Sequence, residues 1–158
     1  MVRTKIKQLF KDMDSFSDKE VTVCAWVRTN RSQSQFGFLT VNDGSFFENL
    51  QVVYEQNLAN FEDISKIRVG ASVKVTGIIR LTPEAKQPLE MNATSVEMLG
   101  DCPENYPIQP KRHTREYLRT VAHLRPRTNL FSAVFRVRSV AAMAVHTYFQ
   151  DRGFLYVH

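Results

Sequence analysis

Apolar and polar residues alternate along most of the first hundred positions, and this period of two is typical of β-strands that bury one face. In residues 21–28, the apolar Val21, Val23, Ala25 and Val27 alternate with Thr, Cys, Trp and Arg. The same alternation recurs in four later segments. We therefore predict five strands, at 21–28, 36–42, 50–54, 72–81 and 89–99.

The segments between these strands carry turn and helix signals. Residues 29–35 are polar and form a predicted loop, and Asp43-Gly44-Ser45 is typical of a tight turn between the second and third strands. Short helices are predicted at 5–9 and at 60–67. Gly77 interrupts the fourth strand, which indicates a bulge or a sharp bend there.

Five strands with a helix between the third and the fourth are the plan of the OB-fold, a small Greek-key barrel that binds oligonucleotides on its second and third strands and adjoining loops. Other small barrels fit the same pattern. The predicted fold class is mainly β with α: a five-stranded OB-fold barrel over residues 1–100, followed by a linker and a helical segment.

The composition changes after residue 100. Residues 101–114 hold three prolines among polar residues, which suits an interdomain linker. In residues 115–158 the pattern predicts a short helix at 115–123 and a longer one at 131–151. Gly153 is placed to end the longer helix as its C-terminal cap, and a strand is predicted to begin at 154–157.

The longer helix presents a broad apolar face. One helix and one strand cannot bury such a face alone, so we expect a further domain or a second copy of the chain to cover it. On this interpretation residues 115–158 are an incomplete domain. The candidate interface residues are Phe131, Val134, Phe135, Ala142, Val145 and Phe149.

The net charge of +5 raises the expectation of a polyanionic partner, and its distribution is uneven. Between residues 111 and 138 the single acid Glu116 faces eight basic residues: Lys111, Arg112, Arg115, Arg119, Arg125, Arg127, Arg136 and Arg138. Two interpretations stay open. Arg115 and Arg119 either contact a nucleic-acid backbone or lie on a solvated helix face.

Neither a signal peptide nor a membrane span is expected, because the longest strongly apolar run, near 140–145, is too short to cross a bilayer. The two cysteines lie far apart and the four histidines include no His-x-x-x-His pair. We therefore expect no disulfide, no metal site and no cofactor in this chain, and a cytoplasmic location.

The outward face of the second predicted strand offers a binding surface. If Leu39 and Val41 point into the barrel, Phe38 lies on the outer face, where its ring could stack on a base. Gln51 has the matching parity in the third strand. Alternatively, Phe38 is covered by the helix at 5–9. Further candidates are Arg28 and Arg31 for phosphates, and Glu90 for a base edge or as a plain surface acid.

Several runs in the second half of the chain resemble bacterial asparaginyl-tRNA synthetases, in the aspartate, asparagine and lysine subclass of class II. They are PIQPKRH at 107–113, YLR at 117–119, HLRPRT at 123–128 and FRVRS at 135–139. The ending GFLYVH at 153–158 is similar to the close of class II motif 1. The resemblance extends over essentially the whole chain.

This resemblance implies that the barrel binds a tRNA anticodon. Phe38 matches the aromatic residue that stacks on an anticodon base, Gln51 the residue that reads the central uridine, and Glu90 a carboxylate facing the anticodon. Motif 1 implies a homodimer. The catalytic motifs would follow His158, so the intact enzyme would join asparagine to tRNA with ATP and Mg²⁺, while this fragment would be inactive.

Three alternatives remain at this stage. The chain could be a free-standing OB-fold module that binds single-stranded nucleic acid without regard to the anticodon. It could belong to an aspartate-specific synthetase of the same subclass. It could also be a purely structural piece that dimerises through the long helix.

Overall fold

The computed structural model describes residues 3–157. The chain divides into two compact units between Pro110 and Lys111, inside the predicted linker. Met1 and Val2 of the predicted barrel domain, and His158 at the end of the motif 1 resemblance, lie outside the described residues. Each unit is described by itself. No helix within residues 3–157 combines the length and the apolar character needed to cross a membrane.

The first unit is a closed five-stranded barrel, which confirms the predicted OB-fold. Its elements are α1 (Ile6–Lys11), α2 (Met13–Phe16), β1 (Glu20–Ser32), β2 (Phe36–Asn42), β3 (Leu50–Glu55), α3 (Phe61–Ser65), β4 (Ser72–Leu81) and β5 (Leu89–Gly100). Around the barrel the strand order is β1-β2-β3-β5-β4, and all neighbours are antiparallel except β3 and β5, which are parallel. The short helices α1 and α2 precede the barrel, and α3 lies between β3 and β4.

The predicted inward parity is confirmed along the strands. Leu39 and Val41 of β2 are fully buried, while Phe38, which precedes Leu39, is only half-buried. In β3, Leu50, Val52 and Tyr54 are fully buried in the same way. Burying aliphatic side chains from every strand in one interior supplies most of the driving force for this unit.

The predicted loop at 29–35 is wrong in its first half, because β1 continues to Ser32. Asn30 pairs with Leu39, and Arg31 pairs with Phe38. The register with β2 shifts between Val27 and Thr29, so a bulge interrupts the alternation there. The four residues 29–32 are all polar, so no alternation of apolar and polar residues marks this end of the strand.

Gly77 lies at the predicted irregularity. The register between β4 and β5 shifts between Thr76 and Gly77. A Cβ atom on Gly77 would lie 2.4 Å from the carbonyl oxygen of Asn92, so the two strands approach too closely there for any side chain.

The second unit is helical over the described residues. It contains α4 (Arg115–Thr120), a single 3₁₀ turn (Arg125–Arg127) and α5 (Asn129–Gln150). Thr128 caps α5 by accepting a hydrogen bond from the backbone N–H of Phe131. Gly153, at φ +80°, ends the helix in a Schellman motif, in which Gly153 N donates to Gln150 O and Phe154 N donates to Phe149 O.

The predicted strand at 154–157 is wrong, since these residues have no regular secondary structure. A β-strand requires a hydrogen-bonding neighbour, and between Lys111 and residue 157 the structure contains only helices and irregular segments. The α5 residues predicted for an interface are half-buried or exposed. Val145, for example, is 57% exposed.

Candidate nucleic-acid interface

Two rows of outward side chains cross the barrel from strand to strand. The Phe38 row consists of Arg31, Phe38, Val53 and Asn92. The Gln51 row consists of Thr29, Thr40, Gln51, Glu90 and Arg80. Neighbours within a row lie on adjacent strands about 5 Å apart, and the rows are two residues apart along each strand. Together they form a continuous outer surface.

Phe38 lies on this surface and not inside the barrel. The alternative, in which the leading helix covers Phe38, is not supported, because α1 contacts a different part of the barrel. The N-terminus of α1 binds the loop between β2 and β3, where Ile6 N donates to Asp43 Oδ2 at 3.0 Å, and Phe10 stacks on Phe46 with ring centroids 5.1 Å apart. That loop follows the end of β2 remote from Phe38, about 13 Å away along the strand.

Gln51 and Glu90 are direct neighbours on the parallel strands β3 and β5. The amide Nε2 of Gln51 donates to Glu90 Oε2 at 3.3 Å, and both side chains are half-buried. This bond orients the Gln51 amide. With one amide hydrogen directed at the carboxylate, the carbonyl oxygen and the second hydrogen remain as an acceptor beside a donor.

Phe38 and Gln51 are diagonal neighbours across β2 and β3, because Phe38 pairs with Val53 and Gln51 pairs with Thr40. Diagonal neighbours lie about 7–8 Å apart. A ring and an oriented amide at this spacing can hold one unstacked nucleotide, the ring by its face and the amide by a base edge.

The arginines predicted for the site differ in position. Arg31 is exposed in the Phe38 row, directly opposite Phe38, and has no carboxylate within ion-pair distance among residues 3–157. Arg28 lies in the bulge between Val27 and Thr29, so it belongs to neither row. Arg115 and Arg119 are exposed on α4 of the second unit.

Sequence reasoning missed Phe36, Asn92 and Arg80. Phe36 has the same parity as Phe38, and the two rings meet edge to face with centroids 5.4 Å apart and planes at 84°. Asn92 shares the parity of Glu90 in β5. The alternation that located Phe38 and Glu90 could have found both neighbours. Arg80 forms an ion pair with Asp18, a contact between distant segments that no local pattern reveals.

Tyr54 is fully buried inside the barrel, where it pairs with Gly37, the residue between Phe36 and Phe38. The Tyr54 hydroxyl donates to Asn30 Oδ1 at 2.9 Å, and the Asn30 amide donates in turn to the carbonyls of Ile64 and Ile67. Burial raises the pKa of the Tyr54 phenol, although a hydrogen bond with Ser32 opposes the effect. The phenol therefore stays protonated and bound to Asn30.

The part of the chain that the structure describes contains no group of three or more His, Cys, Asp or Glu side chains able to hold a metal ion. Within residues 3–157 neither cysteine forms a disulfide; Cys24 is half-buried and Cys102 is buried. The side chains of the two rows offer stacking, base-edge hydrogen bonds and charge neutralisation.

Comparison with known proteins places the barrel among nucleic-acid-binding domains. The sequence profile of the family described as "OB-fold nucleic acid binding domain" matches residues 21–99. The chain is 56% identical over 154 residues to asparagine–tRNA ligase of Acholeplasma laidlawii (strain PG-8A), which covers 97% of this chain and 33% of the relative. It is 51% identical over 158 residues to asparagine–tRNA ligase of Desulfitobacterium hafniense (strain Y51), covering 100% of this chain and 34% of the relative.

Solved structures show the same arrangement of elements. Asparaginyl-tRNA synthetase from Pyrococcus horikoshii matches with a TM-score of 0.80 and 27% identity, over 91% of this chain and 35% of that one. Aspartyl-tRNA synthetase from Entamoeba histolytica matches with a TM-score of 0.82, over 100% of this chain and 39% of that one, but at 17% identity this likeness concerns the fold alone. The chain spans about a third of the length of the curated relatives that it matches.

Proposed function

The chain belongs to the OB-fold nucleic acid binding domain family, and on that premise we propose that its barrel binds a tRNA anticodon loop on the surface formed by the Phe38 row and the Gln51 row. The Phe38 ring stacks on one unstacked base. The Gln51 amide reads the central anticodon base, and Arg31 neutralises a phosphate.

The observation that carries this proposal is the Gln51–Glu90 hydrogen bond beside the half-buried Phe38 on the outer surface of the barrel. Uracil presents an N–H donor beside a carbonyl acceptor, and the free edge of the Gln51 amide presents the complementary acceptor and donor. Because Glu90 fixes which way the amide points, cytosine, whose pattern is reversed, fits the same edge poorly. Glu90 therefore contributes to specificity through Gln51.

For the whole protein we propose the activity named in the relatives, asparagine–tRNA ligase. That protein would join asparagine to tRNA at the expense of ATP with Mg²⁺, outside the barrel. Residues of this chain would supply anticodon recognition. Its exposed α5 face would supply a homodimer contact, since apolar side chains of the predicted interface such as Val134 and Val145 are 45% and 57% exposed.

Removing the ring of Phe38 tests the proposal. We expect Phe38→Ala to weaken binding of an anticodon stem-loop RNA by about 1–3 kcal/mol, about 5- to 150-fold, because one base loses its stacking partner. Fluorescence anisotropy of a labelled hairpin with the central uridine measures the dissociation constant. The matched control is Phe47→Ala, which removes an exposed phenylalanine from the β2–β3 loop.

Equal affinity of the wild-type chain and Phe38→Ala would refute the assigned surface. A second hairpin with cytidine at the central position separates the proposal from a free-standing single-strand-binding module. The proposed site binds the cytidine hairpin more weakly, and Gln51→Ala removes that preference. A general module binds both hairpins alike. In every case added salt weakens the phosphate contacts, so the comparison is made at one salt concentration.

A further inference from the structure

Phe36 is the one aromatic neighbour of Phe38 on the outer surface for which the structure records a ring contact among residues 3–157. The rings meet at 84° with centroids 5.4 Å apart, a favoured edge-to-face geometry in which the positive edge of one ring meets the negative face of the other. Phe36 is half-buried and does not belong to the barrel core. The contact of its ring with Phe38 therefore lies outside the core.

The backbone on both sides of Phe36 is held firmly. The carbonyl of Phe36 accepts a hydrogen bond from Gln33 N at 2.8 Å, which closes the β1–β2 hairpin, and Gln56 N donates to Gln35 O at 2.9 Å. Phe36 itself pairs with Glu55 of β3. The ring of Phe36 thus projects from a fixed point.

Gly37, between the two rings, fixes the face from which they project. A Cβ atom on Gly37 would lie 2.2 Å from Cζ of Tyr54, so the Tyr54 ring fills the space on the inner side of β2 at this position. Phe36 and Phe38 cannot exchange faces without pushing a side chain into that ring. Gly37 therefore keeps both rings on the outer face of β2, where they form the edge-to-face pair.

A ring on an exposed strand face changes rotamer freely, and binding must then restrict it at a cost in entropy. A neighbouring ring that already restricts it removes part of that cost. We propose that Phe36 is a positioning residue, which holds the Phe38 ring in the orientation that stacks on a base. The inference rests on the anticodon-binding function proposed above, and it assigns Phe36 no contact of its own with RNA.

A double-mutant cycle on the full 158-residue chain tests this inference. The four proteins are wild type, Phe36→Leu, Phe38→Leu and the double variant, each titrated with the same anticodon stem-loop RNA. We expect Phe36→Leu to raise the dissociation constant about 2- to 10-fold, the range of an edge-to-face pair. In the Phe38→Leu background, the same change should have no further effect.

Three further measurements separate positioning from a structural role. Phe36→Tyr, which keeps the ring, should bind within about twofold of wild type. Phe36→Thr, which removes the ring but favours a strand, should match Phe36→Leu. The salt dependence of binding should be the same in all four proteins of the cycle, since no phosphate contact changes.

Two results would overturn the inference while leaving the proposed function intact. One is a full additional loss from Phe36→Leu in the Phe38→Leu background, which would mean that Phe36 binds RNA directly. The other is wild-type affinity in Phe36→Leu while Phe38→Leu binds weakly. If Phe38→Leu itself binds as tightly as wild type, the proposed function fails and the inference fails with it.

Discussion

Helices α1 and α5 bury their apolar residues to very different extents. The six-residue α1 places both Ile6 and Leu9 at 0% exposure against the barrel. None of the 22 residues of α5, all of which the structure describes, is buried. Burial is therefore decided by what surrounds a helix and not by its length or its apolar content. The short helix has a complete core beside it, and the long one does not.

The same difference separates the two surfaces that we assign to binding. The barrel buries its own apolar core, so the side chains on its outer surface are available for the proposed recognition of nucleic acid. They include the polar groups of the two rows and the rings of Phe36 and Phe38. The predicted interface stripe of α5 is apolar, with phenylalanine, valine and alanine side chains, which suits another protein surface and not a phosphate backbone. On the proposed function, the first unit binds RNA through side chains on the outside of a barrel whose core is complete, whereas α5 would bury its apolar face only against a partner.

The largest effect of a substitution is expected on α5, through self-association of the chain. If α5 is covered by a second copy of the chain, Ala142→Glu should weaken self-association by about 3–5 kcal/mol, because the interface would then bury an unpaired charge. Analytical ultracentrifugation over a range of concentrations gives the dimer dissociation constant. The anticodon hairpin should still bind to the barrel of the variant.

The control for this change is Ala144→Glu, on the same helix and about 200° around its axis from Ala142. It adds the same charge and the same helix propensity, but it faces away from the stripe that contains Val145 and Phe149. Equal dissociation constants for the Ala142→Glu and Ala144→Glu chains would show that the stripe is not the association surface.

A smaller effect is expected inside the barrel, where the core is packed and leaves no room for an added side-chain atom. Gly37→Ala should destabilise the barrel by about 1–3 kcal/mol, because its Cβ would lie 2.2 Å from Cζ of Tyr54. The chain contains a single tryptophan, Trp26 in β1, so its fluorescence during urea unfolding reports the barrel alone. Helicity of the second unit should not change.

Removing the obstructing ring should reverse the effect of Gly37→Ala. We expect Tyr54→Leu to cost stability by itself, yet Gly37→Ala should cost little more when added to it, since the clash is gone. Gly44→Ala is the contrasting case: nothing lies within 4 Å of a Cβ atom on Gly44, so any loss of stability there comes from its φ of +79° and not from a clash, and Tyr54→Leu should not relieve it. A full additional loss in the Tyr54→Leu background would contradict the steric explanation.

The sequence predicted the barrel well for a physical reason. Strands with one buried face, such as β2 at Phe36–Asn42, must alternate, and the structure confirms those bounds. The end of β1 was missed because a bulge breaks the alternation and residues 29–32 are all polar. The strand at 154–157 was predicted from composition, although a strand forms only when a neighbour pairs with it.

The alternation of inward and outward side chains predicted only part of the candidate site. Parity assigned Phe38, Gln51 and Glu90 to one face, but it gave neither the direction of the Gln51 amide nor the bulge that separates Arg28 from the rows. Those features arise from contacts between strands that are distant in sequence. Whether the surface binds an anticodon remains the prediction that the hairpin experiment tests.

The smallest effect concerns the hydrogen bond by which the β2–β3 loop caps the first turn of α1, whereas α5 is capped by the adjacent Thr128. Asp43 accepts hydrogen bonds from Ile6 N at 3.0 Å and Ser45 N at 2.9 Å, so a loop carboxylate caps the first turn of the helix. Asp43→Ala should therefore lower the free energy of unfolding, followed by Trp26 fluorescence, by about 1 kcal/mol. Asp12→Ala is the matched control, because Asp12 precedes α2 without a side-chain cap. If both variants lose the same stability, general charge and not this cap accounts for the effect, and α1 is held by the burial of its apolar side chains alone.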